Sequence, residues 1–397
     1  MVRPEIRALA AYPVAKAEGM VKLDAMENPY PLPGPVRARL DAALSRVAVN
    51  RYPDGGADAV KTALSHALRI PDGQGVLLGN GSDELIHIIT LALARPGAVV
   101  LAPEPSFVMY RMDAVYAGMR FVGVPLAGDF SLDLPAMRAA IEREQPALVF
   151  IAYPNNPTGN LFGARDVEAV LQAAPGLVVV DEAYYAFADA SFLPRVAEHP
   201  NLLVLRTVSK VGMAGLRLGY AVAAPEWIAE LNKVRAPYNV NALTQAAAVA
   251  LLSDTGWIAA QASAIRAERM RLASALERLP GTKVFPTQTN FVLVRVADAN
   301  EVFEGLKARR ILVKNVHRWQ RPRKTTCCSP LASSFADERH QGPRFRRRRP
   351  ARPRRAGHER DDDHRRGESG RRGSRRARDR RAVPRSHARP GRASRHA

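Results

Sequence analysis

Short runs of consecutive apolar residues recur through the middle of the chain: AVVLAP (98–103), ALVFIAYP (147–154), GLVVVDEAY (176–184), NLLVLRTVSK (201–210) and RLGYAVAA (217–224). None alternates apolar with polar positions, so each reads as a strand covered on both faces. Between several of them lie segments such as DELIHIITLALA and ARDVEAVLQAA, whose apolar residues return every three or four positions, the helical period. This alternation predicts an α/β fold: a large domain with a mostly parallel sheet flanked by helices. Ligands in such sheets bind beyond the carboxyl ends of the strands, and polar residues cluster there along this chain.

Two helical segments follow, NALTQAAAVALLSD and GWIAAQASAIRAERMRLASALERL, then a smaller α/β pattern: strand TKVFPTQTNFVLVRV, helix ANEVFEGLKARR and strand ILVKNV. The expected organisation is an N-terminal segment (1–50) belonging with the small domain, a large cofactor-binding domain (51–255), a shortened small domain (256–316) and a basic tail (317–397). From His317 onward the apolar period stops. RFRRRRPARPRR and RRGESGRRGSRRARDRR hold almost no aliphatic residues and cannot bury enough surface to offset chain entropy, which predicts disorder.

Charge follows the same division. The net charge of +21 points to nucleic acid until it is located: residues 317–397 hold 27 of the 59 Lys and Arg and 8 of the 38 Asp and Glu. The remaining body is nearly neutral, so its composition does not describe a nucleic-acid-binding domain. Cys327 and Cys328 are adjacent, without the spacing of a zinc or redox pair, and no metal site is expected. No apolar run approaches the roughly 20 residues that span a bilayer, and the N-terminus lacks the apolar core of a signal peptide, so a cytoplasmic protein is expected.

The candidate chemistry sits where the buried strands end. YPNNPTG brings Asn156 to the end of one, DEAYY brings Asp181 and Tyr184 to the next, and SK brings Ser209 and Lys210 to a third, with Arg217 shortly after. GNGSDE opens a helix with Ser82 and Asp83, where backbone N–H groups suit an anion. Each piece alone is common. An acid after a strand is usually a cap, NPTG is an ordinary turn, and a lone lysine is usually a solvated charge.

Taken together and in this order, the four motifs resemble the fold type I pyridoxal-phosphate aminotransferases. The resemblance implies that Lys210 bonds to the cofactor aldehyde and serves as general base, and that Asp181 holds the pyridine nitrogen protonated. Burial and a nearby cation are expected to favour the neutral Lys210 amine, while pairing with the ring keeps Asp181 ionised. Asn156 and Tyr184 would hydrogen-bond the ring's phenolic oxygen, and Tyr110 would stack on its face. Ser82, Asp83 through its backbone, Ser209 and Arg217 would hold the phosphate.

VKLDAMENPYPLPGP and NRYPDGGADAVKTALS, with GNGSDELI and GLRLGY, are similar to the signatures of the histidinol-phosphate aminotransferases over about residues 5–316. That family transfers an amino group between L-glutamate and imidazole acetol phosphate in histidine biosynthesis. The resemblance implies a homodimer in which Tyr52 reaches the partner's cofactor phosphate, with Tyr12, Asn28 and Asn156 contacting substrate. Asp24 and Met26 stand where the family has asparagine. Aromatic aminotransferases and threonine-phosphate decarboxylases share most of these motifs and remain open alternatives.

After ILVKNV the family continues with a strand carrying an arginine for the amino donor's carboxylate. Here HRWQRPRKTTCCSPLASS follows, and none of its arginines has a matching context. An impaired, cofactor-binding variant is therefore a further alternative, and non-specific nucleic-acid binding through the tail a remote one. The loss of pattern in mid-domain, with arginine, proline, alanine and glycine dominant, is what a shifted reading frame in GC-rich DNA produces.

Overall fold

The computed structural model describes residues 1–11 and 14–316, together with the backbone of the strand Thr326–Pro330. Its main sheet has the strand order Gly75–Gly79, Gly219–Ala223, Leu202–Thr207, Leu177–Asp181, Leu148–Ala152, Val99–Glu104, Arg120–Pro125. Neighbours from Leu202–Thr207 to Arg120–Pro125 run parallel, and Gly219–Ala223 runs antiparallel to both its neighbours.

The unbroken apolar runs follow from two cores. Along Leu177–Asp181, Leu177 and Val179 point into one hydrophobic cluster while Val178 and Val180 point into another. The first is closed by Leu85, Ile86 and Ile89 of helix Ser82–Ala92 and by Leu231 of helix Pro225–Val234. The second is closed by Val60 and Leu64 of helix Asp58–Leu68, Val167 and Val170 of Ala164–Ala173, and Ala248 and Leu251 of Ala242–Leu252. Both faces need apolar side chains, so the period-two alternation disappears.

The downstream pattern is more broken than the sequence suggests. TKVFPTQTNFVLVRV forms two short strands, Lys283–Val284 and Phe291–Arg295, which pair antiparallel with each other. ILVKNV splits likewise: Ile311–Leu312 pairs with Val21–Lys22, and Lys314–Asn315 pairs with Thr326–Pro330. The first pairing ties the N-terminal segment to this smaller region.

Thr326–Pro330 corrects the expectation of disorder from residue 317. It forms a strand antiparallel to Phe291–Arg295, with Phe291 opposite Pro330 and Arg295 opposite Thr326. An open sheet edge offers backbone donors and acceptors to whatever extended chain follows, and that demand does not depend on side-chain pattern. The rest of the tail lies outside the described residues, as does Tyr12.

Candidate active site

The carboxyl ends of the parallel strands open into a cavity of about 520 Å³. Ser82, Asp83, Tyr110, Asn156, Asp181, Tyr184, Ser209, Lys210 and Arg217 all line it, so residues spread over more than a hundred positions meet at one cavity.

Strand Leu177–Asp181 ends with Asp181, whose side chain enters the cavity floor and is 5% exposed. Its Oδ2 accepts from the Tyr110 hydroxyl at 2.8 Å and its Oδ1 from the Ala183 N–H at 3.0 Å. Burial raises the carboxyl to about 6 against the lowering effect of those two hydrogen bonds. Among the described residues no cation pairs with it. A buried carboxylate with spare lone pairs and no cation is suited to a protonated ring nitrogen.

Tyr110 does more than supply an aromatic face. Its ring stacks on Phe150 with centroids 4.4 Å apart, and its hydroxyl is the donor to Asp181. Burial, then the adjacent carboxylate, pushes its own ionisation well above the usual range, so it stays a donor.

Lys210 follows strand Leu202–Thr207 in the short helical turn Ser209–Val211. Its Nζ donates to the Ala25 carbonyl at 2.8 Å and lies 5.7 Å from the centre of the Tyr184 ring. Burial lowers the amine to about 8; the carboxylates of Asp83 and Glu27 act against this, and Arg217 and Lys22 act with it. The neutral amine that a proton carrier needs is therefore accessible near neutral pH. Asn156 donates from Nδ2 to the Tyr184 hydroxyl at 3.4 Å, which places two polar tips on one wall.

Ser82, Asp83, Ser209 and Arg217 form another part of the lining. Helix Ser82–Ala92 starts after Gly81 with no side chain capping its first N–H groups. Gly219 lets strand and helix meet: a Cβ there would lie 2.4 Å from the Ser82 backbone nitrogen. Arg217, held at φ 50°, donates to the Asp83 carboxylate at 3.2 Å. Asp83 thus meets the arginine through its side chain, where the sequence suggested only a backbone role. Ser209 Oγ accepts from Thr207 Oγ1 at 2.9 Å.

Two predicted residues are not in this cavity. Asn28 does not line it; its amide bridges Gln261 at 2.9 Å and accepts from the Tyr30 N–H at 2.9 Å, which fixes the entering chain instead. Tyr52 is 83% exposed and stacks on Tyr238 with ring centres 4.7 Å apart. Conversely, Asp24, Thr207 and Lys314 line the cavity without having been singled out for it. Thr207, two residues before Ser209 on a strand end, could have been found by position. Lys314 sits in ILVKNV, where an apolar run hides it.

The residues following Asp181 and preceding Thr207 form a buried ion pair. Arg206 donates from Nε and Nη2 to Glu182 Oε2 at 2.9 and 2.7 Å, and the two side chains are 6% and 0% exposed. The Glu182 N–H also donates to the Leu205 carbonyl at 2.7 Å. The strand ends carrying Asp181 and Lys210 are thereby locked side by side.

A cavity with a buried acid, a lysine and backbone N–H groups at a helix start has the parts that a pyridoxal-phosphate-dependent enzyme needs. The family model for aminotransferase class I and II matches residues 18–331. Histidinol-phosphate aminotransferase from Chromobacterium violaceum is 58% identical over 317 residues, covering 80% of this chain and 89% of that protein. Histidinol-phosphate aminotransferase 1 from Ralstonia nicotianae is 56% identical, covering 80% and 86%. The crystal structure of histidinol-phosphate aminotransferase from Sinorhizobium meliloti in complex with pyridoxal-5'-phosphate superposes with a TM-score of 0.75 at 27% identity, covering 84% and 93%. The chain belongs to the histidinol-phosphate aminotransferases.

Proposed function

We propose that the protein transfers an amino group between L-glutamate and imidazole acetol phosphate, giving L-histidinol phosphate and 2-oxoglutarate. The observation that carries this reading is the convergence of Asp181, Lys210, Ser82 and Arg217 on one cavity. Bound pyridoxal phosphate supplies an aldehyde for the amino group and a ring that accepts the electron pair left when the substrate's α-proton departs.

The chain's own residues do the rest. Asp181 would pair with the ring nitrogen, its carboxylate held in place by the Tyr110 hydroxyl. Ser82, Ser209, Arg217 and the N–H of Asp83 would hold the phosphate, and Asn156 and Tyr184 the phenolic oxygen. Lys210 Nζ would take the proton from the substrate's α-carbon and give it to the cofactor's aldehyde carbon. Lys314 and Arg217 bring positive charge to the lining of the cavity, in keeping with two anionic substrates.

The exposed Tyr52 and Tyr238, beside Val49 and Leu243, are proposed as part of a homodimer face that delivers Tyr52 to the second copy's phosphate. Among the described residues no helix is long and apolar enough to cross a membrane, and the cytoplasm is the proposed location. Glutamate-driven amination of imidazole acetol phosphate should proceed faster than that of a panel of aromatic and aliphatic oxo acids. Preference for an aromatic oxo acid, or release of carbon dioxide from threonine phosphate, would overturn the assignment.

A further inference from the structure

The helix start that lines the cavity follows a turn with little stiffness of its own. Gly79, Asn80 and Gly81 connect strand Gly75–Gly79 to helix Ser82–Ala92, and Gly81 sits at φ 90°. Glycines on both sides of Asn80 leave the backbone many conformations to lose, so the direction of the helix is set only if something outside the turn fixes it. Gly81 also has no side chain with which to cap the first N–H groups of the helix, and these suit an anion.

Glu84 and Asn239 supply the fixing. Glu84 Oε2 accepts from the Asn80 N–H at 2.6 Å, reaching back across the turn from the third helical position. The same oxygen accepts from Asn239 Nδ2 at 2.6 Å, and that amide also donates to the Leu78 carbonyl at 3.1 Å. A single amide thus ties the end of the strand to the first turn of the helix. Asn239 is itself held: its Oδ1 accepts from Arg235 Nη1 at 2.7 Å, and Arg235 Nη2 donates to the Gly55 carbonyl at 3.0 Å. Neither Glu84 nor Asn239 lines the cavity, whereas Ser82 and Asp83 do.

We propose that Glu84 and Asn239 are positioning residues for the cofactor phosphate, which aim the N–H groups of Ser82 and Asp83 at it without touching it. This rests on the reading above, in which the helix start holds the phosphate. Ser209 and Arg217 reach the same cavity from a different loop, so the helix start must be kept in register with them.

The test frees the full-length holoenzyme of cofactor and titrates it calorimetrically with pyridoxal phosphate and with pyridoxal, which lacks the phosphate. Wild type should bind pyridoxal phosphate more tightly. Glu84→Ala and Asn239→Ala should each weaken pyridoxal phosphate about tenfold or more while pyridoxal binds as before. Glu84→Gln, whose amide oxygen still accepts from Asn80, should recover most of the loss. The double alanine variant should lose no more than the weaker of the two singles, because both cut the same clasp. Equal weakening of both ligands would show a general structural role and overturn the proposal. So would additive losses in the double variant, or a Glu84→Gln protein as weak as Glu84→Ala. Should Glu84→Ala not fold, Asn239→Ala decides with the same two ligands. A wild type that binds pyridoxal as tightly as pyridoxal phosphate would sink the helix start as the phosphate's place, and this proposal with it. A phosphate preference untouched by either variant would sink the positioning role alone.

Discussion

Lys210 offers the sharpest test of how the cavity prepares its chemistry. In protein freed of cofactor its amine is lowered from 10.5 to about 8 by burial. At pH 8 about half of such amines are neutral, against well under ~1% of ordinary lysines, so trace acylation should label Lys210 about 100-fold faster per accessible amine. Competitive labelling with an acyl donor small enough for the cavity, read by mass spectrometry against the exposed Lys233, measures the ratio across pH. The Lys210 profile should bend near 8. The same shift acts on stability. Between about 8 and 10.5 the unfolded chain holds a proton at Lys210 that the folded chain has released, so stability rises with pH through that window. Below it the cost is fully present, and Lys210→Met should stabilise the cofactor-free protein there by at most about 3 kcal/mol, an advantage that fades by pH 10.5. A Lys210 that is labelled no faster than Lys233 at pH 8 would refute the reasoning, because burial would then not govern the amine.

Glu182→Ala leaves Arg206 buried without its partner and should cost about 3–5 kcal/mol in denaturant unfolding, while an exposed pair such as Lys233–Glu230 should change stability by under about 1 kcal/mol. Mixing inactive Tyr52→Ala and Lys210→Ala proteins, unfolded together and reassembled, should restore part of the activity; no recovery from an active wild type would mean each chain builds its own site. Resequencing the coding DNA should reveal an alternative frame after residue 316 that encodes an amphipathic strand and helix with the missing arginine. If no frame does, the basic tail is the genuine product and its charge requires its own function.

The sheet was legible where burial is two-sided. Runs such as LVFIA and LLVLR admit one reading because both neighbours in each run need apolar company. The edge strand Arg120–Pro125 was not, since its exposed and half-buried positions break the run. Nor could the pattern reveal that Gly219–Ala223 is reversed, because a strand buried on both faces looks the same in either direction. In the site, strand-end residues could be read because the chain itself brings Asn156, Asp181 and Lys210 to one rim. Asp24 and Lys314 arrive from remote segments through tertiary packing, which one-dimensional spacing does not encode. The Asn28 motif identifies the turn, while its bond to Gln261 arises from tertiary packing that spacing does not encode.

The reversed strand has a mechanical consequence. Because Gly219 lies opposite Thr207, the chain from Ser209 to Leu218 is a loop clamped at both ends by one antiparallel ladder. The lysine proposed to capture the cofactor and the arginine proposed to grip its phosphate ride on that single clasp, so neither can drift relative to the other. Asp24 and Lys314 ride on different supports, the entering segment and the smaller sheet. The cavity lining is thereby carried on different segments of the chain, so a change in the entering segment or the smaller sheet can reshape the cavity while the clasp keeps its own two residues in register.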